Sequence, residues 1–362
     1  MAYTGTGTEA DPYLVSTMAD FVECASKSFA YVKIIANIDA SQEDEFKDGY
    51  DNAISINAYL YADGIKKIEN VTINSGNMLI ANNGTTIENI FFKNWNHHKT
   101  TGGISVYTMY TTFRYCFFSM EMNDDTFGCG LLGKNNSSGS DSNFINCVFH
   151  VKFTSGTLLT ASYIAMLNYV AVNECTFWFE NLAVNSNYIA GPYAGVTECA
   201  FVGDIVSLAK PSAYFPNPVV NLFADSSYTV SKNVFAMHIT SVDDVQVRMV
   251  FNGGYWMIDT DIWGEGVYTS NLSSSCRTLT TEQIKSRAFL EEETDFFDGL
   301  TSTWLFNNQF EGYPHPAEFP QENNPLTLML GSVPVQCAYL GTELVWKRGG
   351  INKIITENLI QN

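Results

Sequence analysis

Two carboxylates, Asp259 and Asp261, form the arrangement in this chain nearest to a catalytic pair. On a strand, side chains at i and i+2 leave from the same face, so their roots stand roughly 6–7 Å apart. Glycosidases hold paired carboxyls about 5–5.5 Å apart when they retain configuration and about 6.5–9.5 Å apart when they invert it. Tyr255, Trp256 and Trp263 flank the pair and offer rings for stacking on sugars. The competing reading is a solvated acidic patch beside an aromatic strand. Asp124-Asp125 and Asp243-Asp244 are adjacent, so on a strand they diverge, and they read as turn residues. His97-His98 follows Trp95 without a third ligand at metal-site spacing, and reads as a loop. No Ser/His/Asp order, phosphate loop or dinucleotide fingerprint appears, so neither a cofactor nor a metal is expected.

The elements that must position these residues are announced by a motif that returns. It reads Glu88-Asn89-Ile90-Phe91, Tyr115-Cys116-Phe117-Phe118, Asn146-Cys147-Val148-Phe149, Glu174-Cys175-Thr176-Phe177, Glu198-Cys199-Ala200-Phe201 and Lys232-Asn233-Val234-Phe235. Aligned, one column is Asn89, Cys116, Cys147, Cys175, Cys199, Asn233. Two residues on, the next is Phe91, Phe118, Phe149, Phe177, Phe201, Phe235. The steps between copies are 27, 31, 28, 24 and 34 residues, the scale of a repeat architecture. Each copy is rich in Val, Ile, Phe, Tyr and Thr, punctuated by Asn, Gly and Ser, without a helical apolar period. Like residues stacked on like, one coil per repeat, is what a parallel β-helix requires, because each coil buries its inner face only against its neighbours. The expected fold is all-β: a single-stranded right-handed parallel β-helix with a short N-terminal capping helix and a small C-terminal cap and tail. A β-sandwich with chance similarity is the alternative.

Composition agrees with a folded β protein. Of 362 residues, 46% are hydrophobic and 16% charged, and aromatics reach 14%. The formal net charge of −19 repels phosphate backbones and anionic bilayers, so neither nucleic acid nor membrane is an expected partner. The first residues lack the basic and apolar regions of a secretory leader, and no apolar run approaches the ~18 residues of a membrane span. A cytosolic origin is therefore expected. Of eight cysteines, Cys116, Cys147, Cys175 and Cys199 share the repeat column. Coils about 4.8 Å apart would permit disulfides between them, but a reducing compartment and Phe-flanked burial favour free thiols.

Four regions follow: an N-terminal cap (1–45), the β-helix (46–265), a C-terminal cap with a short helix (266–325) and a tail (326–362). In the first, Thr17 is the expected N-cap of a helix that buries Phe21, Val22 and Ala25. In the third, Thr280-Thr281-Glu282-Gln283 reads as a capping box opening a helix to about Phe289, and this region is expected to close the far end of the coils. The tail holds Ala338 to Trp346, which reads as a β-hairpin, and Ile351, Ile354, Ile355 and Leu359 at helical spacing. Too small for a core of its own, it is expected to order against another chain through Leu344, Trp346, Ile351 and Ile355.

Two stretches carry a resemblance. The lead-in Gly5-Thr6-Gly7-Thr8-Glu9-Ala10-Asp11-Pro12-Tyr13-Leu14 resembles the start of many bacterial and phage β-helix proteins. Leu340-Gly341-Thr342-Glu343-Leu344-Val345-Trp346 resembles an ending found on phage virion proteins. The segment from Leu279 through Trp304 to Tyr313-Pro314 is similar to modules that close repeats in bacterial surface β-helices, with His315-Pro316 where their usual ending has a leucine as its last residue. Together these resemble phage appendage proteins: tail spikes, tail fibres or head fibres. The resemblance implies a homo-oligomer, expected as a trimer, built in the bacterial cytoplasm, joined to other virion proteins and contacting a host-surface glycan. The primary expectation is a non-enzymatic structural subunit. A polysaccharide depolymerase on the same scaffold, acting through Asp259 and Asp261, is the first rival, and a bacterial surface adhesin the second.

Overall fold

The computed structural model of the chain describes residues 3–99, 103–124, 129–133, 142–153, 167–168, 170–184, 195–207, 219–221, 230–231, 234–241, 246–248, 257–259, 281–293, 304–306, 312–316, 329–330, 333–334, 337–340, 343–347 and 350–351. It divides into two compact units, Met1–Pro320 and Gln321–Asn362. The first is a parallel β-helix whose coils present three walls. Thr112–Arg114, Asn143–Ile145, Ala171–Asn173 and Gly195–Thr197 stack in parallel on the start of Thr86–Lys99 as the first wall. Phe117–Asp124, Val148–Phe153, Thr176–Val184, Ala200–Ser207 and Val234–Ser241 form the second. The third runs Ile54–Ile56, Leu79–Ala81, Gly103–Thr108, Cys129–Gly133 and Leu167–Asn168.

The bend between the first and second walls explains the motif. Asn89, Tyr115, Asn146, Glu174 and Glu198 all adopt left-handed backbone, with φ between 52° and 59°. That conformation costs an L-residue roughly 1–2 kcal/mol. Here it turns the chain while keeping the ladder complete. Tyr115, Asn146 and Glu174 donate their N–H to the following coil, at Ile145 O, Asn173 O and Thr197 O. Two residues after each αL position in the later copies, Val148, Thr176 and Ala200 donate back to Cys116 O, Cys147 O and Cys175 O. The residue after the bend points inward and fills the corner, which is where Cys116, Cys147, Cys175 and Cys199 sit, fully buried and not joined in disulfides.

The first motif copy is displaced by one residue from the sequence alignment. Register pairs Phe117 with Phe91 and Phe118 with Phe92, so the inward ring is Phe92 and the corner residue is Ile90, not Asn89. Phe92, Phe118, Phe149, Phe177 and Phe201 form a continuous buried stack with ring centroids 4.9, 4.9, 4.7 and 4.8 Å apart. Phe91 faces the opposite side of the wall and is buried with Val148 against Ile65 and Phe117. The backbone register continues from Phe201 to Phe235. A parallel stack, Phe113 on Phe144 at 4.6 Å, lines the first wall.

At the N-terminal end the helix Met18–Ala25 is capped by Thr17, whose side chain accepts from the Asp20 N–H. Glu43 reinforces that terminus by accepting from the Met18 and Ala19 N–H groups. Met18, Phe21, Cys24 and Ala25 join the main core and so cover its first coil, with Val22 packed at the edge. The region expected to form one helix to Phe289 is instead two, Thr281–Ile284 and Arg287–Glu293. Ser286 interrupts it: its hydroxyl accepts from the Phe289 N–H and its carbonyl from Leu290, opening the second helix with a new cap. In the second unit, Cys337–Leu340 and Glu343–Lys347 form the expected antiparallel hairpin, extended by Gly350–Ile351. Ile351 is thus a strand residue rather than a helical one.

Candidate functional site

On the outer face of the second wall, the residue after each stacked Phe forms its own row: Ser119, His150, Trp178 and Val202 in register. His150 lies flat on Trp178, with ring centroids 3.9 Å apart and planes within 9°. Its Nε2 meets a carboxylate oxygen of Glu180 from the next coil, at a position both side chains leave partly open to solvent. Trp178 also meets Tyr313, with ring centroids 6.0 Å apart, and the Lys285 ammonium sits 4.2 Å over the Tyr313 ring. This is a cation–π and stacking chain of imidazole, indole, phenol and ammonium.

These contacts explain the placement of the segment expected to close the end of the coils. Its described part lies on the flank. Leu290 and Trp304 are fully buried against Ala200 and Val202 of the second wall, with Trp178, Phe289, Phe306 and Tyr313 around them. Thr176 donates its hydroxyl to Pro314 O at 2.9 Å, and Arg287 donates to Trp304 O at 3.0 Å. The physical reason is that small outward residues at Ala200 and Val202 leave an apolar strip, which Trp304 and Leu290 remove from water. His315 is buried within this segment; desolvation lowers its pKa, partly opposed by its contact with Tyr313 O. The cluster can therefore fasten the segment to the wall, with the His150–Glu180 pair bridging neighbouring coils beside it. Sequence reading weighed carboxylates within one strand and missed this pair, which is made across coils; the row after each motif Phe was the available signal.

Of the residues singled out from sequence, Asp259 ends strand Met257–Asp259, which extends the second wall and pairs with His238. Tyr255, Trp256, Asp261 and Trp263 lie outside the described residues, as do Asp125, Asp243, Asp244 and Ile355. Leu344 and Trp346 lie in the hairpin, where register sets Leu344 opposite Tyr339 and Trp346 opposite both Ala338 and Ile351. His97 and His98 belong to the strand Thr86–Lys99, not to a loop. His97 points inward, its ring nitrogens engaged by Ser105 Oγ at 3.1 Å and Ser75 O at 2.9 Å. That strand continues because Asn94 turns left-handed and its amide donates to Asn70, extending a polar ladder that Asn70 carries on to Asp39. Among the described residues, no group of three or more His, Cys, Asp or Glu could hold a metal ion.

No protein-family model and no curated protein sequence matches the chain. A solved structure of a "putative immunoglobulin A1 protease" from Bacteroides ovatus is similar over 87% of this chain and 94% of that one, at 13% identity and a TM-score of 0.45.

Proposed function

We propose that this chain is a non-enzymatic structural subunit of a bacteriophage particle, a β-helical tail fibre, spike or head-fibre protein that contacts the host surface. The observation that carries the reading is the separation of Gln321–Asn362 as a compact unit of its own, built around the hairpin that contains Leu340 to Trp346. A cross-braced solenoid is stiff, because every coil is tied to its neighbours by a backbone ladder and a ring stack. A second unit with its own hairpin suits an attachment element, and the lead-in and ending resemble those of virion proteins. In this reading the second unit joins a homotrimer or another virion protein, and the chain reaches its place on the particle from the bacterial cytoplasm.

The test is direct. Antibody raised against residues 1–320 should label purified particles of the phage that carries this sequence, and a chain ending at Pro320 should fold yet fail to enter particles. Particles lacking the protein would overturn the virion assignment. Release of oligosaccharide from host capsule, lost on Asp259→Ala, would overturn the non-enzymatic part and favour the depolymerase.

A further inference from the structure

A second bend, between the third and first walls, differs in kind from the cysteine corner. Phe29 and Tyr110 both adopt left-handed backbone there, with φ of 57° and 58°, and Asn83 between them has φ of 75°. For a bulky ring this conformation is an outlier. At the cysteine corner the left-handed residues are at least half-buried, whereas Phe29 and Tyr110 are 59% and 55% exposed. They are two of the three large hydrophobic side chains that the described residues leave exposed. Backbone strain and an exposed ring together, twice at one bend, are a combination that folding alone does not select.

The two rings belong to one surface. The Phe29 N–H donates to Asn57 O of the second coil, and the Asn83 amide reaches Ser28 Oγ at 3.5 Å. Gly84, also left-handed, lies against the backbone of Tyr110, with the Tyr110 carbonyl 3.7 Å from where a Cβ would stand. Phe29 and Tyr110 therefore flank Asn83-Gly84 across three coil steps, about 14 Å at the usual strand spacing. Among the described residues of this surface, the exposed side chains Ser26, Ser28, Phe29, Asn83 and Tyr110 carry no formal charge, on a chain of net charge −19.

We propose that this corner binds a neutral oligosaccharide, with Phe29 and Tyr110 as the stacking rings and Asn83 as the hydrogen-bonding amide. Among the described residues, the charged side chain of this stretch, Lys27, is already paired with Glu23 at 3.1 Å, which disfavours a charged partner. Two rings fall far short of the roughly 800 Å² per side that a stable protein partner buries. Sugars present what fits: apolar C–H faces for the rings and hydroxyls for an amide that both donates and accepts. The proposal rests on the host-contact reading only for the biological source of the sugar, since the chemistry belongs to the corner itself.

Affinity electrophoresis of the full chain through gels of dextran, levan and curdlan, with anionic alginate as control, tests it. Retardation is expected in at least one neutral gel and not in alginate. Phe29→Ala or Tyr110→Ala should weaken it about tenfold, the loss of one stacked ring, and the pair should abolish it. Phe29→Gly and Tyr110→Gly separate function from folding. Glycine relaxes the left-handed backbone, so the melting temperature should hold or rise while retardation is lost. Free migration of the wild type in all three neutral gels overturns the proposal. So does a fall in melting temperature with either glycine, which would make the ring a packing element. Self-association of the wild type that disappears with Phe29→Ala would name a second copy as the occupant and overturn it too. Failure of the virion reading would appear separately, as absence of the protein from particles while sugar binding persists.

Discussion

Phe177 sits inside the ring stack, between Phe149 and Phe201, and its replacement tests the architecture most sharply. The side chain is fully buried, with Phe149 at 4.7 Å on one side and Phe201 at 4.8 Å on the other, all planes within 7°. Removing a buried Phe to Ala forfeits its transfer energy and leaves a cavity, together about 3–5 kcal/mol. Neighbouring coils are tied by strand ladders on both sides, so little collapse is available, and the upper half of that range applies. Phe177→Leu keeps most of the apolar volume and loses the ring contacts, each about 0.5–1.5 kcal/mol. It should therefore cost about 1–3 kcal/mol. Urea denaturation, with hydrogen exchange followed in Val148–Phe153, Thr176–Val184 and Ala200–Ser207, reads the loss and its position. Protection should fall in these three strands first, because a solenoid's stability is carried by nearest-neighbour interfaces. A double-mutant cycle sharpens the test. Phe149→Leu with Phe177→Leu should show coupling of about 0.5–1.5 kcal/mol, whereas Phe118→Leu with Phe201→Leu, three coils apart and stacked on no common ring, should be additive within about 0.5 kcal/mol. A cost for Phe177→Ala below about 1.5 kcal/mol, or equal coupling for both pairs, would refute the stacked-coil account.

Three further outcomes follow from the structure. Burial pushes the Cys116, Cys147 and Cys175 thiols well above their ordinary range, so native protein at pH 8 should resist iodoacetamide at these positions and react fully once unfolded, as read by mass spectrometry; neighbouring-coil disulfides would contradict this. His315 has a lowered pKa in the folded chain, so the unfolded segment binds protons first. Stability is full above the ordinary histidine value, about 6.5, and is lost as pH falls below it; tryptophan fluorescence should report release of Trp304 and Trp178 on acidification, and His315→Gln should flatten the response. Gly203 has φ of +105°, and a Cβ there would stand 2.0 Å from Phe179 O, so Gly203→Ala should destabilise the second wall by about 2 kcal/mol or more, measured by the same urea transition.

The sequence alone determined the class of fold and most of its core. In-register parallel stacking puts like residues on like, so the columns Cys116, Cys147, Cys175, Cys199 and Phe118, Phe149, Phe177, Phe201 were legible as spacing and composition, without any tertiary information. The Thr17 cap and the Cys337–Lys347 hairpin were legible too, because caps and tight turns depend on residues close in the chain. The first copy slipped by one because Phe91 and Phe92 are chemically alike, and what separates them is backbone handedness at Asn89. That handedness recurs at Tyr115, Asn146, Glu174 and Glu198, residue types with no common chemical mark. Tertiary structure alone decided what meets across coils and across long loops. His150 finds Glu180 only because coil register brings positions thirty residues apart together. Trp304 and Leu290 settle on Ala200 and Val202 because small outward side chains at two coil positions leave apolar surface, which one-dimensional periodicity does not express. The exposure of Phe29 and Tyr110 belongs to the same class: a ring reads as core in sequence, and only the direction of its bend places it in water.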